Sequence, residues 1–167
     1  MLVLRFSFAG EQQYVRAFAL MAADAQDLRE PFQEVSTLLR EHVGEQFATE
    51  GGHSRAWAPL SDGYREWKEA AYPGRPILVR SAEMRQAFLV TPSVRIERKR
   101  MEWGPDEGAS YDNGVRIVDV ADAHQAGAGV QRQRKIINLT AKDRREIDRV
   151  FVDFAASLGR RITRVAG

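Results

Sequence analysis

The side chains with which this chain of 167 residues could do chemistry are few and scattered. Its three histidines are His42, His53 and His124. None has a second histidine or a carboxylate at a recognised metal-ligand spacing, so a metal site would have to be assembled from distant parts of the fold. His42 falls within a helical stripe, where a histidine is more often partly buried and satisfied than a ligand. Ser54, Ser61 and Ser81 stand at turn or cap positions, and no G-x-S-x-G elbow surrounds them, which leaves nucleophilic catalysis without local support. A small hydrolase would need His124, Asp122 and a serine hydroxyl to converge in one pocket. Gly51-Gly52 and Gly127 to Gly129 do not precede a Lys-Ser/Thr pair, and Gly51-Gly52 ends a helix where a phosphate loop begins one. The carboxylates are spread along amphipathic helices and single out no acid-base dyad. Without cysteine there is no thiolate chemistry and no disulfide. The expectation is no catalytic residue, no cofactor and no metal.

Large aromatics and clustered arginines are the remaining groups with something to contribute. The most informative segment runs from Phe47 to Leu89, where a helix end meets a Trp-Ala-Pro-Leu corner and a second short helix. Trp57, Tyr64, Trp67 and Tyr72 crowd a stretch that a small domain could hardly bury completely, while each alone could equally fill the core beneath a loop. Trp57, Leu60, Tyr64, Trp67 and Tyr72, with Arg132 and Arg134, are therefore the candidate contacts with another subunit or partner. Net charge is only +2, from 25 basic and 23 acidic residues, so global charge does not indicate nucleic-acid binding. Local clusters occur at Arg95, Arg98, Lys99 and Arg100, at Arg132, Arg134 and Lys135, and at Arg160, Arg161 and Arg164. Such clusters are usually solvated faces; the sharper reading is a footprint for phosphate or for an acidic partner.

These residues must be held by one domain spanning 1–167, since the length suits a single core and 44% hydrophobic with 29% charged residues is ordinary for a globular chain. No apolar run approaches the ~20 residues of a membrane helix, and the N-terminal stretch lacks the features of a secretory signal, so synthesis in the cytoplasm is expected. Alternation at Leu2, Leu4, Phe6 and Phe8 predicts an opening strand, followed by a helix over 11–25. A long helix is expected over 31–50, with Pro31 in its first turn and Gly51-Gly52 at its end. Ser61 should cap a short helix carrying Tyr64 and Trp67, Pro73 and Pro76 should stop it, and Ser81 should cap another bearing Met84, Ala87 and Phe88. Period-two patterning beyond Pro92 predicts a meander through Val94 and Ile96, Met101 and Trp103, then the Asp112-Asn113-Gly114 turn and a strand at Val115, Ile117 and Val118. His124 to Gly129 reads as a glycine-punctuated turn and 130–139 as extended. Thr140 with Asp143 should form a capping box for a last helix ending at Gly159, before a loose tail over 160–167. The fold class expected is α+β, with a small antiparallel sheet packed against the long helix and the C-terminal helix, and an extended aromatic loop.

Six short signatures occur in order: F-x-x-x-G at Phe47 to Gly51, W-A-P-L-S at Trp57 to Ser61, I-L-V-x-S-x-x-M-R at Ile77 to Arg85, H-Q-x-G at His124 to Gly127, Q-R-x-R at Gln131 to Arg134, and L-T-x-x-D at Leu139 to Asp143. Their order and spacing resemble the phage virion morphogenesis, or tail completion, family of Mu-like and P2-like phages, over nearly the whole chain. The chain departs from the family pattern at Ser81, where a glycine is expected, at Ala126, where an aromatic is commoner, at a proline-rich edge near Gln131 to Arg134, and in a long insertion over Glu102 to Val118.

The resemblance implies a small structural protein of the virion neck, without enzymatic activity, acting where the DNA-filled head meets the tail. It implies a homo-oligomeric ring, a hexamer being the expected size, closed by heterologous contacts and touching adjacent neck and tail-tube proteins. The loop around Trp57 would reach a neighbour, DNA would pass through the lumen without specific binding, and Arg132 and Arg134 would meet acidic faces of partner rings rather than the channel. The competing expectation is a basic nucleic-acid-binding accessory protein.

Overall fold

The helix expected over 31–50 is α1, Arg29–Ala48, and it is the wall on which the rest of the molecule is built. Pro31 sits in its first turn, where the missing N–H would have had no helical partner. Val35, His42, Val43, Gln46 and Phe47 form its buried face. The architecture is seen in a computed structural model that describes residues 26–128 and 132–165, with side chains as far as Arg160. The expected opening strand at Leu2 to Phe8, the helix over 11–25, and Gly129, Val130 and Gln131 lie outside the described residues.

Helix α1 stops at Thr49, whose N–H still bonds Glu45 O, and the chain reverses through Glu50 and Gly51 at φ of 50° and 89°. The next helix, α2, spans Asp62–Ala71. Ser61 takes the N-cap position in extended geometry, although its hydroxyl makes no capping bond. Tyr72, Pro73 and Gly74 end α2, as the two prolines require.

Helix α3, Glu83–Leu89, buries Met84, Ala87 and Phe88 as expected. Its cap is not Ser81 but Ala82, held at φ 76° in the left-handed region. The predicted hairpin is present. Strands β1, Ser93–Ile96, and β2, Met101–Gly104, pair antiparallel with Val94 opposite Trp103 and Ile96 opposite Met101.

The meander ends there. Asp112-Asn113-Gly114 does form a tight turn, with Gly114 at φ 78° and its N–H on Tyr111 O at 2.9 Å, and Ser110 bridges Arg116. Ile117 then opens helix α4, Ile117–Ala126, where a strand was expected. The buried positions decide the matter: Ile117, Ala121 and His124 stand at i, i+4 and i+7, a helical period, while Arg116 supplies the extended N-cap and Asp119 an acidic first turn. Gly127, at φ 72°, is the left-handed C-cap, so the H-Q-x-G signature is a helix end rather than a free turn.

Residues 132–139, expected to be extended, form no strand among the described residues and bend at Ile136 and Ile137. The capping box is made as written in the sequence: Thr140 N–H donates to Asp143 Oδ2 at 2.7 Å, and Asp143 N–H to Thr140 Oγ1 at 3.2 Å. Helix α5, Ala141–Val165, runs through Gly159 and takes up most of the tail expected to be loose.

Helix α1 is shared by three neighbours: α5 packs along it, and α3 and β1 pack against it, while α3 also meets α4. Phe32 of α1 meets Phe151 of α5 edge to face at 5.8 Å. The core gathers Val43, Phe47, Trp57, Val79, Met84, Phe88, Ile117, Ala121 and Ile136. The described residues therefore form an α+β fold of five helices and a two-stranded antiparallel sheet. None of these helices is long and apolar enough to cross a membrane.

Candidate functional site

The Trp-Ala-Pro-Leu corner is fastened to its own subunit. The Trp57 ring is buried edge to face against Phe47, and its Nε1–H donates to Lys135 O at 2.9 Å. Its N–H bonds Glu50 O, and the indole lies over Gly51, where an added Cβ would come within 2.6 Å of Trp57 Cδ1 and 2.7 Å of Arg55 O. Arg134 closes the corner from the other side: Nε–H donates to Ala58 O at 2.7 Å and an Nη2 hydrogen to Pro59 O at 3.0 Å. Gln125 reaches the same strap, donating to Ile137 O and accepting from the N–H groups of Ile136 and Ile137. Four of the six signatures are thus joinery between two loops and the end of α4. Trp57 and Arg134, expected at a partner surface, are buried internal clamps, because the backbone carbonyls and the glycine beneath them need those side chains at home.

The other expected contacts do lie outward. Tyr64 and Trp67 of α2 are 44% and 47% exposed, their rings tilted against each other with centroids 5.3 Å apart, and half-buried Tyr72 meets Trp67 at 5.8 Å. In α2 the one buried residue is Lys68, whose ammonium donates to Arg75 O at 2.8 Å and to Pro76 O. The helix is amphipathic, and Tyr64 and Trp67 lie on the same side as buried Lys68, each still about half exposed.

Beside this face opens a cleft of about 450 Å³, into which Leu60, Tyr64, Arg132 and Arg134 converge with Lys68, Arg80, Tyr111 and His124. Four of the seven residues singled out in the sequence therefore line one site, with Trp67 and Tyr72 adjoining it. No carboxylate lines the cleft among the described residues, and none pairs with Lys68, Arg80, Arg132 or Arg134. The electrostatic strain is legible in the titrating groups. Burial, and next Arg134, depress the basicity of His124. Burial and then Arg132 do the same to Arg134, and burial lowers Lys68 against the pull of Glu50 and Glu69. Burial pushes the Tyr111 phenol up to about 12, although Arg80 lies 5.5 Å over its ring. His124 Nδ1 and Arg80 Nε are buried without a partner. Such a pocket favours a negatively charged guest.

Ser61 and Ser81 border the same cleft as His124, but Asp122 opens onto a different one, beside Glu102 and Trp103, so the hydrolase constellation does not assemble. At the hairpin tip Arg95 and Arg100 share one carboxylate, Glu102, and Arg98 shares Asp27 with Arg29, so these pairs offset only part of the positive charge there.

One constellation has no signal in the sequence spacing. His42, late in α1, and His53, in the turn after it, stack at 5.5 Å beside Asp143 and Glu146 at the start of α5. Asp143 is 1% exposed, and His53 Nε2 lies 2.9 Å from its Oδ2. Burial would push the Asp143 carboxyl up, but bonds from Thr140 N–H, His53 and the Thr140 hydroxyl, with the field of His42, hold it below the usual carboxylate range. More than 80 residues separate the two halves, and only the packing of α5 on α1 unites them.

Comparisons of the chain with protein-family models, with curated proteins and with solved structures give no match.

Proposed function

We propose that the chain is a structural subunit of a phage neck, assembling into a homo-oligomeric ring at the head-to-tail junction that completes or terminates the tail. The observation that carries this reading is the aromatic pair of α2, Tyr64 and Trp67, left about half exposed beside a cleft whose cations meet no carboxylate among the described residues. An apolar patch rimmed by charge is the composition of an interface core and rim, and burying the two rings would contribute about 1.5 to 3 kcal/mol each. The six ordered signatures support the family assignment, and the role of four of them as internal clamps suits a subunit whose loops must hold shape before they meet a neighbour. The guest for the cleft is a carboxylate from the adjoining subunit or from an adjacent neck or tail-tube protein, placed where complementary charge fixes register. In a ring the same patch meets a different surface of the next copy, and rotational closure multiplies modest contacts into a stable collar, with a hexamer the expected closure. Genomic DNA passes through the lumen, and the protein resides in the virion neck after synthesis in the host cytoplasm. Sharing of Glu102 and Asp27 among the hairpin-tip arginines offsets part of the charge that a nucleic-acid-binding accessory would use.

Native mass measurement of the purified protein, alone and with its neighbouring virion proteins, tests the proposal. A closed oligomer that the Tyr64→Ala, Trp67→Ala double variant reduces to folded monomers is the expected result. A monomer under both conditions would overturn it.

A further inference from the structure

We infer that His42, Asp143 and Glu146 form a binding site for a divalent transition-metal ion of the zinc class. One ligand atom from each lies within 4.8 Å of the others. His42 Nε2 is 3.5 Å from Asp143 Oδ1 and 3.3 Å from Glu146 Oε2. Both distances exceed the ~2.7 to 3.2 Å of a good N–H···O bond, so one ring hydrogen is shared poorly between two oxygens. They match the ~3.3 to 3.4 Å edge of a tetrahedron whose metal–ligand bonds are ~2.0 to 2.1 Å long. The backbone explains the convergence. Asp143 and Glu146 are at i and i+3 on α5 and face the same way, towards His42 on α1.

The surroundings prepare the ligands. Asp143 Oδ2 is occupied by Thr140 N–H and by His53, which leaves Oδ1 for an ion. His53 is a positioning residue: its Nδ1 lies 2.5 Å from Glu45 Oε2, so it bridges Glu45 to Asp143 and fixes the carboxylate from behind. An imidazole among the donors selects a transition metal over magnesium or calcium, which prefer all-oxygen shells. Three protein ligands leave a coordination position open. Ion binding at Nε2 puts the ring proton on Nδ1, which is buried without a partner, and this weakens the binding.

The test is a titration of chelator-treated protein with Zn²⁺ alone, followed by metal content per chain and by the absorption bands of Co²⁺ as a substitute. One ion per chain and tetrahedral-type Co²⁺ bands are expected, with Mg²⁺ unable to compete. Glu146 is half-buried and caps nothing, so Glu146→Gln should fold normally and weaken Zn²⁺ binding by at least tenfold, as should His42→Gln. No uptake at millimolar Zn²⁺ would overturn the inference, as would uptake that Glu146→Gln and His42→Gln leave intact, which would put the ion elsewhere.

Discussion

Two glycines with the same backbone habit show how much a single position depends on what surrounds it. Gly51 and Gly74 have φ of 89° and 66°, a region that costs an L residue about 1 to 2 kcal/mol. Around Gly74 nothing lies within 4 Å of an added Cβ, whereas at Gly51 the Cβ would run into Trp57 N and Arg55 O, which cannot step aside without undoing the corner. Gly74→Ala should therefore cost only that strain, and Gly51→Ala at least about 2 kcal/mol more, compared by urea midpoints. Equal losses in the two variants would mean that the corner is pliable. His124 makes a different residue-scale claim. Its basicity is lowered in the fold by burial and by Arg134, so the unfolded chain binds the proton more readily. Stability is then complete above the ordinary histidine range, near 6.5, and is lost as pH falls below it towards the lower folded value. Thermal melting at descending pH should show that decline, and His124→Gln should flatten it. A decline unchanged in the variant would assign it to other groups.

At the scale of elements, the start of the last helix is where the sequence says most about the structure, because its capping signal is local, whereas the stop expected at Gly159 is overrun by a helix that continues to Val165. Thr140 and Asp143 cap each other as their spacing requires, and Thr140→Ala should cost about 1 kcal/mol in chemical denaturation. Trp57→Ala should cost about 3 to 5 kcal/mol by the same measurement, since it empties a core position and frees Lys135 O. Legibility failed where local and tertiary signals compete. Val115, Ile117 and Val118 are β-branched and follow a hairpin-like turn, so they read as a strand; only the burial of Ile117, Ala121 and His124 on one face of α4, which packs against α3, shows that the helical period wins. Ala82, rather than the better-capping Ser81, begins α3 because the chain turns there through a left-handed residue, which no propensity announces. The candidate cleft was half visible. Tyr64, Trp67 and Arg132 stood out by type, but Trp57 and Arg134 have the same types and turned inward, and type alone does not say which carbonyls wait for an indole or a guanidinium. The His42 cluster was invisible, because motif spacing encodes contacts within an element and this one is made between two helices distant in sequence.

For the whole molecule, the proposed ring brings two kinds of force to one contact, and salt separates them. The aromatic face of α2 associates by area and is little affected by ions, while the cations of the cleft act through a field whose range shrinks from ~10 Å at 0.1 M salt to ~3 Å at 1 M. Arg132 is the best place to divide the two. It is exposed, makes no ion pair among the described residues and lines the cleft, so Arg132→Glu should leave the subunit's own stability within about 0.5 kcal/mol. The same change puts a negative charge where a partner's carboxylate is expected, and like charges across an interface are strongly unfavourable. Sedimentation equilibrium of the wild type should show association weakening as salt rises, with a remnant at high salt that Trp67→Ala removes. Arg132→Glu should associate poorly at low salt and recover part of its affinity at high salt, the reverse of the wild-type trend, because screening now relieves a repulsion. Were the variant and the wild type to share one salt dependence, the cleft would not face a partner, and the aromatic face alone would have to account for the ring.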